Sequence, residues 1–167
     1  EPINNYADIK GRKIRVAPTK ASSIATQSFG ANSVVLPITE VASALQTGLV
    51  EGADLPGLAF TALGIGKVAG NWIATNHSHQ VGIVLMSNKA WKRLDKQQQK
   101  AFMDAQSATD TLRKQVRGAE KFTLAKFVEA GGKVINPSGE DLKRWKASGE
   151  KARQELIESI GGDAKDV

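Results

Sequence analysis

The chain has 167 residues, 41% hydrophobic and 24% charged, with no cysteine and only three Trp, one Tyr and five Phe. That length fits one ordinary domain or two small lobes, and the apolar fraction is too high for a disordered segment. The lack of Cys excludes a disulfide-stapled fold, thiolate nucleophiles and cysteine-liganded metal centres without fixing a compartment.

No apolar run approaches the roughly 20 residues of a membrane-spanning helix. Glu1-Pro2-Ile3-Asn4-Asn5 carries neither a basic n-region nor an apolar h-region, so an exported form is expected to have lost its signal peptide already. Lys and Arg total 23 against 17 Asp and Glu, a net charge of +6 that favours anionic partners. The cations cluster at Lys10, Arg12, Lys13 and Arg15 and again at Lys89, Lys92 and Arg93, and are otherwise mixed with acids. No stretch interleaves aromatics with Arg as a base-stacking platform does, so no nucleic-acid partner is expected. A basic nucleic-acid or polyanion-binding domain stands as the alternative reading.

Taken in chain order, Lys13-Ile14-Arg15-Val16-Ala17 alternates and reads as a strand. Thr19 caps an expected helix over 21–29, ended by Gly30. Ser33-Val34-Val35-Leu36 is a second strand closed by Pro37. Thr39 is expected to cap a helix over 40–47, with Gly48 just past its end. Ala53-Asp54-Leu55 forms a short strand ahead of a helix over 56–63, with Pro56 in its first turn. Gly64, Gly66 and Gly70 make a crossing into a strand at Trp72-Ile73-Ala74-Thr75, and residues 81–86 read as an apolar strand. Alternating strands and helices imply α/β architecture with parallel pairing.

Asp95 with Gln98 is a capping box opening an uninterrupted helical pattern over 96–130. Gly131-Gly132 stops it. A brief strand at Lys133-Val134-Ile135 precedes a terminal helical pair capped by Ser138, and the tail from Gly161 is expected to fray.

Little in this pattern demands catalysis. Gly64-Ile65-Gly66-Lys67-Val68 lacks the first glycine and the hydroxyl of a phosphate loop and reads as a connection. His77 and His79 share a strand face but have no third metal ligand nearby, so they read as hydrogen-bonding groups beside a polar cavity. No nucleophile elbow is present. Glu51 and Asp54 can be drawn as an acid/base pair or as rim carboxylates, and a small hydrolase using His77 and Asp54 would need those two to converge. Trp72, Trp91 and Trp145 are spaced as separate core or interface anchors.

Arg15 is different. It sits in the first strand, opposite in face to Ile14 and Val16, at the head of a βα unit. Ligands of α/β sheets collect at the carboxyl ends of strands, where a guanidinium can take a carboxylate with two parallel hydrogen bonds. The bland reading is an exposed edge-strand arginine in a basic cluster.

Asp8-Ile9-Lys10-Gly11-Arg12-Lys13-Ile14-Arg15-Val16 resembles the D-L-K-G-x-K-I/L-R-V segment of TRAP-transporter solute receptors, the DctP-type substrate-binding proteins. Thr39-Glu40-Val41-Ala42-Ser43-Ala44-Leu45-Gln46-Thr47-Gly48-Leu49-Val50-Glu51-Gly52 resembles their S-E-V-Y-x-A-L-Q-T-G-V-V-D-G signature. Thr75-Asn76-His77 and Val84-Leu85-Met86-Ser87-Asn88-Lys89-Ala90-Trp91 match later stretches in the family's order.

The resemblance implies a periplasmic-binding-protein-like lobe with a short, mostly parallel sheet, one long bridging helix and C-terminal helices. It divides the chain into a ligand-binding lobe (1–80), a hinge strand and bridging helix (81–132), and a C-terminal strand and helices packing on the lobe (133–167). It implies a periplasmic, non-enzymatic receptor with no cofactor, no metal and no catalytic residues, handing a small organic acid to TRAP membrane subunits. The family's carboxylate-clamping arginine falls on Arg15, its ligand-contacting aromatic on Ile38 and its polar asparagine on Leu55. Backbone groups at Asp54 and His77 would shape the rest of the pocket. With Ile38 and Leu55 apolar, a ligand tail less polar than sialic acid or a C4-dicarboxylate is expected. The chain begins just upstream of the first segment, so a fragment lacking the N-terminal lobe is expected. A homodimer or domain swap would relieve its exposed apolar surface.

Overall fold

The computed structural model of the chain describes residues 2–79 and 81–166. Its organising element is β1 (Lys13–Val16), which lies between β2 (Asn32–Val35) and β3 (Gly52–Ala53), parallel to both. The register pairs Lys13 with Asn32 and Val16 with Val35 on one side, and Ile14 with Gly52 on the other. Gly52 is glycine for a reason: a Cβ there would stand 2.8 Å from Ile14 Cδ1. The two crossovers are α1 (Lys20–Ser28) and α2 (Val41–Gln46). Thr19 caps α1 by accepting the Ser22 N–H at 3.2 Å, and Gly30, at φ +84°, turns the chain after it.

Thr39 does not cap α2. It lies inside a 3-10 turn, Ile38–Glu40, already wound before the helix begins, so Glu40 occupies the cap position without a side-chain hydrogen bond. Pro56 likewise stands one residue before α3 (Gly57–Ala62) and not in its first turn. The glycine-rich stretch after α3 is the expected connection: Gly64 adopts φ +66°, and the 3-10 turn Ile65–Lys67 tucks Ile65 into the core.

β4 (Asn71–Ile73) is not a further strand of this sheet. It pairs in parallel with β5 (Lys133–Ile135), Trp72 opposite Val134, as a separate two-stranded sheet. The apolar run 81–86 is not a strand either. It forms no ladder among the described residues, and Val84 is 96% and Leu85 85% exposed. A strand needs a neighbour to take its N–H and C=O groups, and none lies beside this segment.

A short helix, α4 (Asn88–Trp91), follows, capped by Ser87. The capping box forms as expected, with Asp95 accepting the Gln98 N–H at 2.8 Å and Gln98 Oε1 accepting the Asp95 N–H at 3.0 Å. The helix it opens is not continuous. α5 (Lys96–Asp104) passes through a 3-10 turn at Ala105–Ser107 into α6 (Ala108–Glu129). At the break, Ser107 Oγ donates to the Asp104 carbonyl at 3.1 Å and Thr109 Oγ1 to that of Gln106 at 2.7 Å. Side-chain hydroxyls that compete for backbone carbonyls favour such tightening. The expected terminal pair is one helix, α7 (Gly139–Ile160). Ser138 precedes it without a side-chain cap, and the tail beyond winds into a 3-10 turn at Gly162–Asp166.

Two buried clusters hold these elements. One comprises Ile9, Ile14, Phe29, Ala31 and Trp145. It pins α7 to the start of the chain: Trp145 meets Tyr6 and Phe29 edge-on at 5.0 and 4.9 Å, and Asp141 accepts the Tyr6 N–H at 2.7 Å. The other comprises Val41, Phe60, Ile65 and Phe127, with Leu55, Trp72 and Leu124 packed around it. Phe127, from the last turn of α6, crosses Phe60 edge-to-face at 5.0 Å and lies against Gly66 and Gly132, where there is no room for a Cβ.

Gly132→Ala is therefore expected to lower stability by about 1–3 kcal/mol, because the Phe127 ring must be displaced. Gly149→Ala, in open space within α7, is expected to raise it by about 0.5–1 kcal/mol. Urea midpoints moving in opposite directions would confirm the assignment.

Candidate functional site

β1 is the central strand, and every residue after Lys13 in it is buried. Arg15 is thus no edge-strand arginine: its residue exposure is 3%. The guanidinium spans the carboxyl ends of both neighbouring strands. Its Nε–H donates to the Leu36 carbonyl at 2.9 Å, just past β2, and Nη1 to the Asp54 carbonyl at 3.2 Å, just past β3. The Asp54 N–H in turn donates to the Arg15 carbonyl at 2.8 Å, so strand and loop are tied in both directions. Nη2 has no partner among the described residues. No buried side-chain N or O atom there lacks one, so Nη2 reaches solvent. Burial pushes the Arg15 pKa down, and the Asp54 charge opposes that. The group stays cationic at neutral pH.

Asp54 carries the next link. Its Oδ1 is 3.5 Å from His77 Nε2, with both side chains largely buried. The other ring nitrogen, His77 Nδ1, shares a hydrogen bond of 2.6 Å with Thr75 Oγ1. Phe29 backs the imidazole edge-on at 5.2 Å. His77 follows Asn76, whose positive φ of 48° makes the turn after β4. Asn tolerates that conformation better than most residues.

The structure therefore brings Arg15, Asp54 and His77 together, keeps Leu55 on the cavity wall beside Asp54 and leaves Ile38 apart from them. Ile38 is 40% exposed in its 3-10 turn. Leu55 turns from Asp54 onto the second core cluster. Glu51 and Asp54 are not an acid/base pair, since they flank β3 at opposite ends. Glu51 instead binds Arg12 at 2.6 Å and accepts the Lys13 N–H at 3.0 Å. His79 is exposed, and no group of three metal-ligating side chains occurs among the described residues. Sequence reasoning missed Phe29, Thr75 and the Leu36 carbonyl. Only Thr75, two residues before His77 in the Thr75-Asn76-His77 stretch, left a signal.

A cavity of about 2160 Å³ opens beside this cluster. Asp54, Leu55 and His77 line it, with Phe29, Phe60 and Trp72. Arg15 and Ile38 are not part of its wall; the guanidinium lies behind the Asp54 carbonyl. The three parallel strands thus end around a buried arginine with one nitrogen unpartnered among the described residues, and a cavity opens beside it, the usual place for a ligand in such sheets.

The chain belongs to the bacterial extracellular solute-binding protein family 7 (DctP), which matches residues 1–159. The ectoine-binding periplasmic protein TeaA of Halomonas elongata is 24% identical over 170 residues, covering 100% of this chain and 50% of its own length. The sialic acid-binding periplasmic protein SiaP of Vibrio cholerae is 25% identical over 160 residues, covering 96% and 49%. A crystal structure of a TRAP periplasmic solute binding protein from Bradyrhizobium sp. BTAi1, in complex with D-galacturonate, superposes with a TM-score of 0.88 at 26% identity, covering 99% of this chain and 54% of that one. The chain thus spans about half the length of the relatives it matches. Asp54 and His77 do converge, at 3.5 Å, as a small hydrolase would need, but the family and these relatives are solute-binding proteins and not enzymes.

The far end of the sheet gives a pH dependence. The Lys13 N–H, then Arg12, hold the Glu51 carboxyl below its ordinary value of 4.5. A carboxyl with a depressed folded pKa stabilises above its unfolded value, and the contribution is lost as pH falls through the folded one. Below about pH 4.5, stability is expected to decline more steeply in the wild type than in Glu51→Gln, as read from urea midpoints at pH 7 and pH 3.5.

Proposed function

We propose that this chain is the arginine-bearing part of a periplasmic TRAP-transporter receptor, gripping the carboxylate of a small organic acid through Arg15. The unpartnered Nη2 of Arg15 carries the reading: a cation held rigidly by two carbonyls, with a donor left over, is preorganised for an oxyanion. A carboxylate there completes the guanidinium's hydrogen bonds and relieves the desolvation of its charge. Asp54 and His77 form the adjoining wall, and Leu55 its apolar part.

In this reading residues 1–80 are the ligand-binding lobe, 81–132 lead across a hinge and bridging helix, and 133–167 pack back on the lobe. A second lobe covers the exposed run 81–86 and closes over the cavity. Closure excludes water and lowers the local dielectric, which strengthens the pair between Arg15 and the ligand. The ligand then shifts the open–closed equilibrium, and the membrane subunits of the transporter recognise the closed form.

Calorimetry on the full-length receptor carrying this sequence tests the assignment. For the tightest-binding acid of a panel, Arg15→Met is expected to weaken affinity about 10- to 100-fold, the worth of a charge-assisted hydrogen bond. Arg15→Lys should recover only part of it, since an ammonium cannot bridge both carbonyls and still offer a fork. Binding by Arg15→Met within twofold of wild type would overturn the role.

A further inference from the structure

Beside the Asp54–His77 pair the cavity wall becomes apolar. Leu55 follows Asp54 directly and packs on the cluster of Val41, Phe60, Ile65 and Phe127. Leu55, Phe60 and Trp72 all face the cavity, and the Phe60 and Trp72 rings lie 5.1 Å apart. The polar groups nearest Arg15 are committed to one another: Thr75 to His77, His77 to Asp54, and the Leu36 and Asp54 carbonyls to Arg15. On this side of the cavity the Arg15 guanidinium is the charged donor left over, with the hydrocarbon of Leu55 next to the Asp54 that holds it.

Building on the carboxylate reading above, we propose that the solute is a monocarboxylate with an apolar body, and that Leu55 is the residue that sets this preference. A polyhydroxylated acid would bury several hydroxyls against Leu55, Phe60 and Trp72, three side chains that offer one donor between them, the Trp72 indole N–H, and no acceptor. The cost of leaving polar groups unpaired is what makes such walls selective. An apolar body instead displaces water from the same three side chains. The other charged side chains on the cavity wall are Glu51, Asp54 and, from α6, Arg113, Arg117 and Glu120, with the Arg15 guanidinium behind the Asp54 carbonyl. Arg113 faces Asp110 at 4.0 Å. A second carboxylate on the ligand would have to reach those α6 arginines, so a dicarboxylate is the competitor to test.

The experiment is titration calorimetry on the full-length receptor carrying this sequence, with phenylacetate, 4-methylpentanoate, D-galacturonate and succinate as probes. Phenylacetate or 4-methylpentanoate is expected to bind at least tenfold tighter than D-galacturonate and succinate. Leu55→Asn should shrink that margin at least fivefold, chiefly by strengthening D-galacturonate, and Leu55→Met should preserve it. D-galacturonate or succinate binding as tightly as the apolar acids, an unchanged margin in a folded Leu55→Asn, or binding of none of the four overturns the proposal. Should Leu55→Asn fail to fold, the wild-type margin decides, with Leu55→Met as its control. The two readings fail separately. If Arg15→Met abolishes binding of whichever acid is preferred, the carboxylate site stands even where the apolar preference falls. If Arg15→Met leaves binding intact, the carboxylate site itself is lost.

Discussion

A guanidinium placed in the middle of a parallel sheet is the constraint around which the rest of this lobe is arranged. Taking a cation out of water costs several kcal/mol even after relaxation. The fold offsets this with two carbonyl dipoles, from Leu36 and Asp54, and with the Asp54 charge. Both carbonyls belong to residues just past the strands that flank β1, so they converge on Arg15 only because all three strands run the same way and end together. An antiparallel neighbour would place a strand's start there, and the loop carbonyls would lie elsewhere. Sheet direction, strand order and site are therefore one fact. Lysine could not replace the arginine, since a single ammonium cannot reach both carbonyls and still present a planar pair of donors outward.

The parts legible in the sequence are those whose cause is local. The alternation of Ile14 and Val16, the Thr19 cap, the Asp95–Gln98 box and the Gly131 stop each involve residues within one turn or one pleat, and each forms. Features decided by a distant partner were illegible. β4 finds its neighbour in β5 across the whole of α6, and nothing in Asn71-Trp72-Ile73 says so. The apolar run 81–86 has the composition of a strand and none of its hydrogen bonds, because composition reports burial and not pairing. At the site, Arg15 was legible from its place at the head of a βα unit. The pairing of Asp54 with His77 was not, because the loops after β3 and β4 meet only once both sheets are folded. Leu55 was placed by the family resemblance, and the packing that turns it to the core is tertiary.

The helix α6 shows the same division along a single element. Its last turns carry Leu124 and Phe127 into the second core cluster, whereas Leu112, Val116 and Phe122 stand exposed. A helix whose stability comes from tertiary packing is anchored at one end here and bare along much of the rest. With the exposed Val84 and Leu85, each about 1.5–3 kcal/mol if fully covered, this is more apolar surface than a self-sufficient lobe leaves in water. Val81, Gly82, Ile83, Val84, Met86 and the first half of α6 also line the cavity, so in the proposed reading a lobe that covers that surface also closes the cavity. Part of the free energy for closing over a solute would then come from apolar surface already waiting there, independent of the solute's chemistry.

His77 is held from behind by Phe29, Phe29 by Trp145, and Trp145 by Tyr6, a run of edge-on rings extending from the site to α7. Rings have few rotatable bonds, so the run fixes the imidazole at small entropic cost, and Thr75 fixes which way its Nδ1 faces. Asp54, held by its own backbone to Arg15 and by its carboxylate to His77, transmits that order to the arginine. In the proposed reading, recognition rests on that preorganised donor and on the side chains beside it. An exchange of those side chains would then alter the preferred solute without moving the arginine, whose position is set by backbone carbonyls.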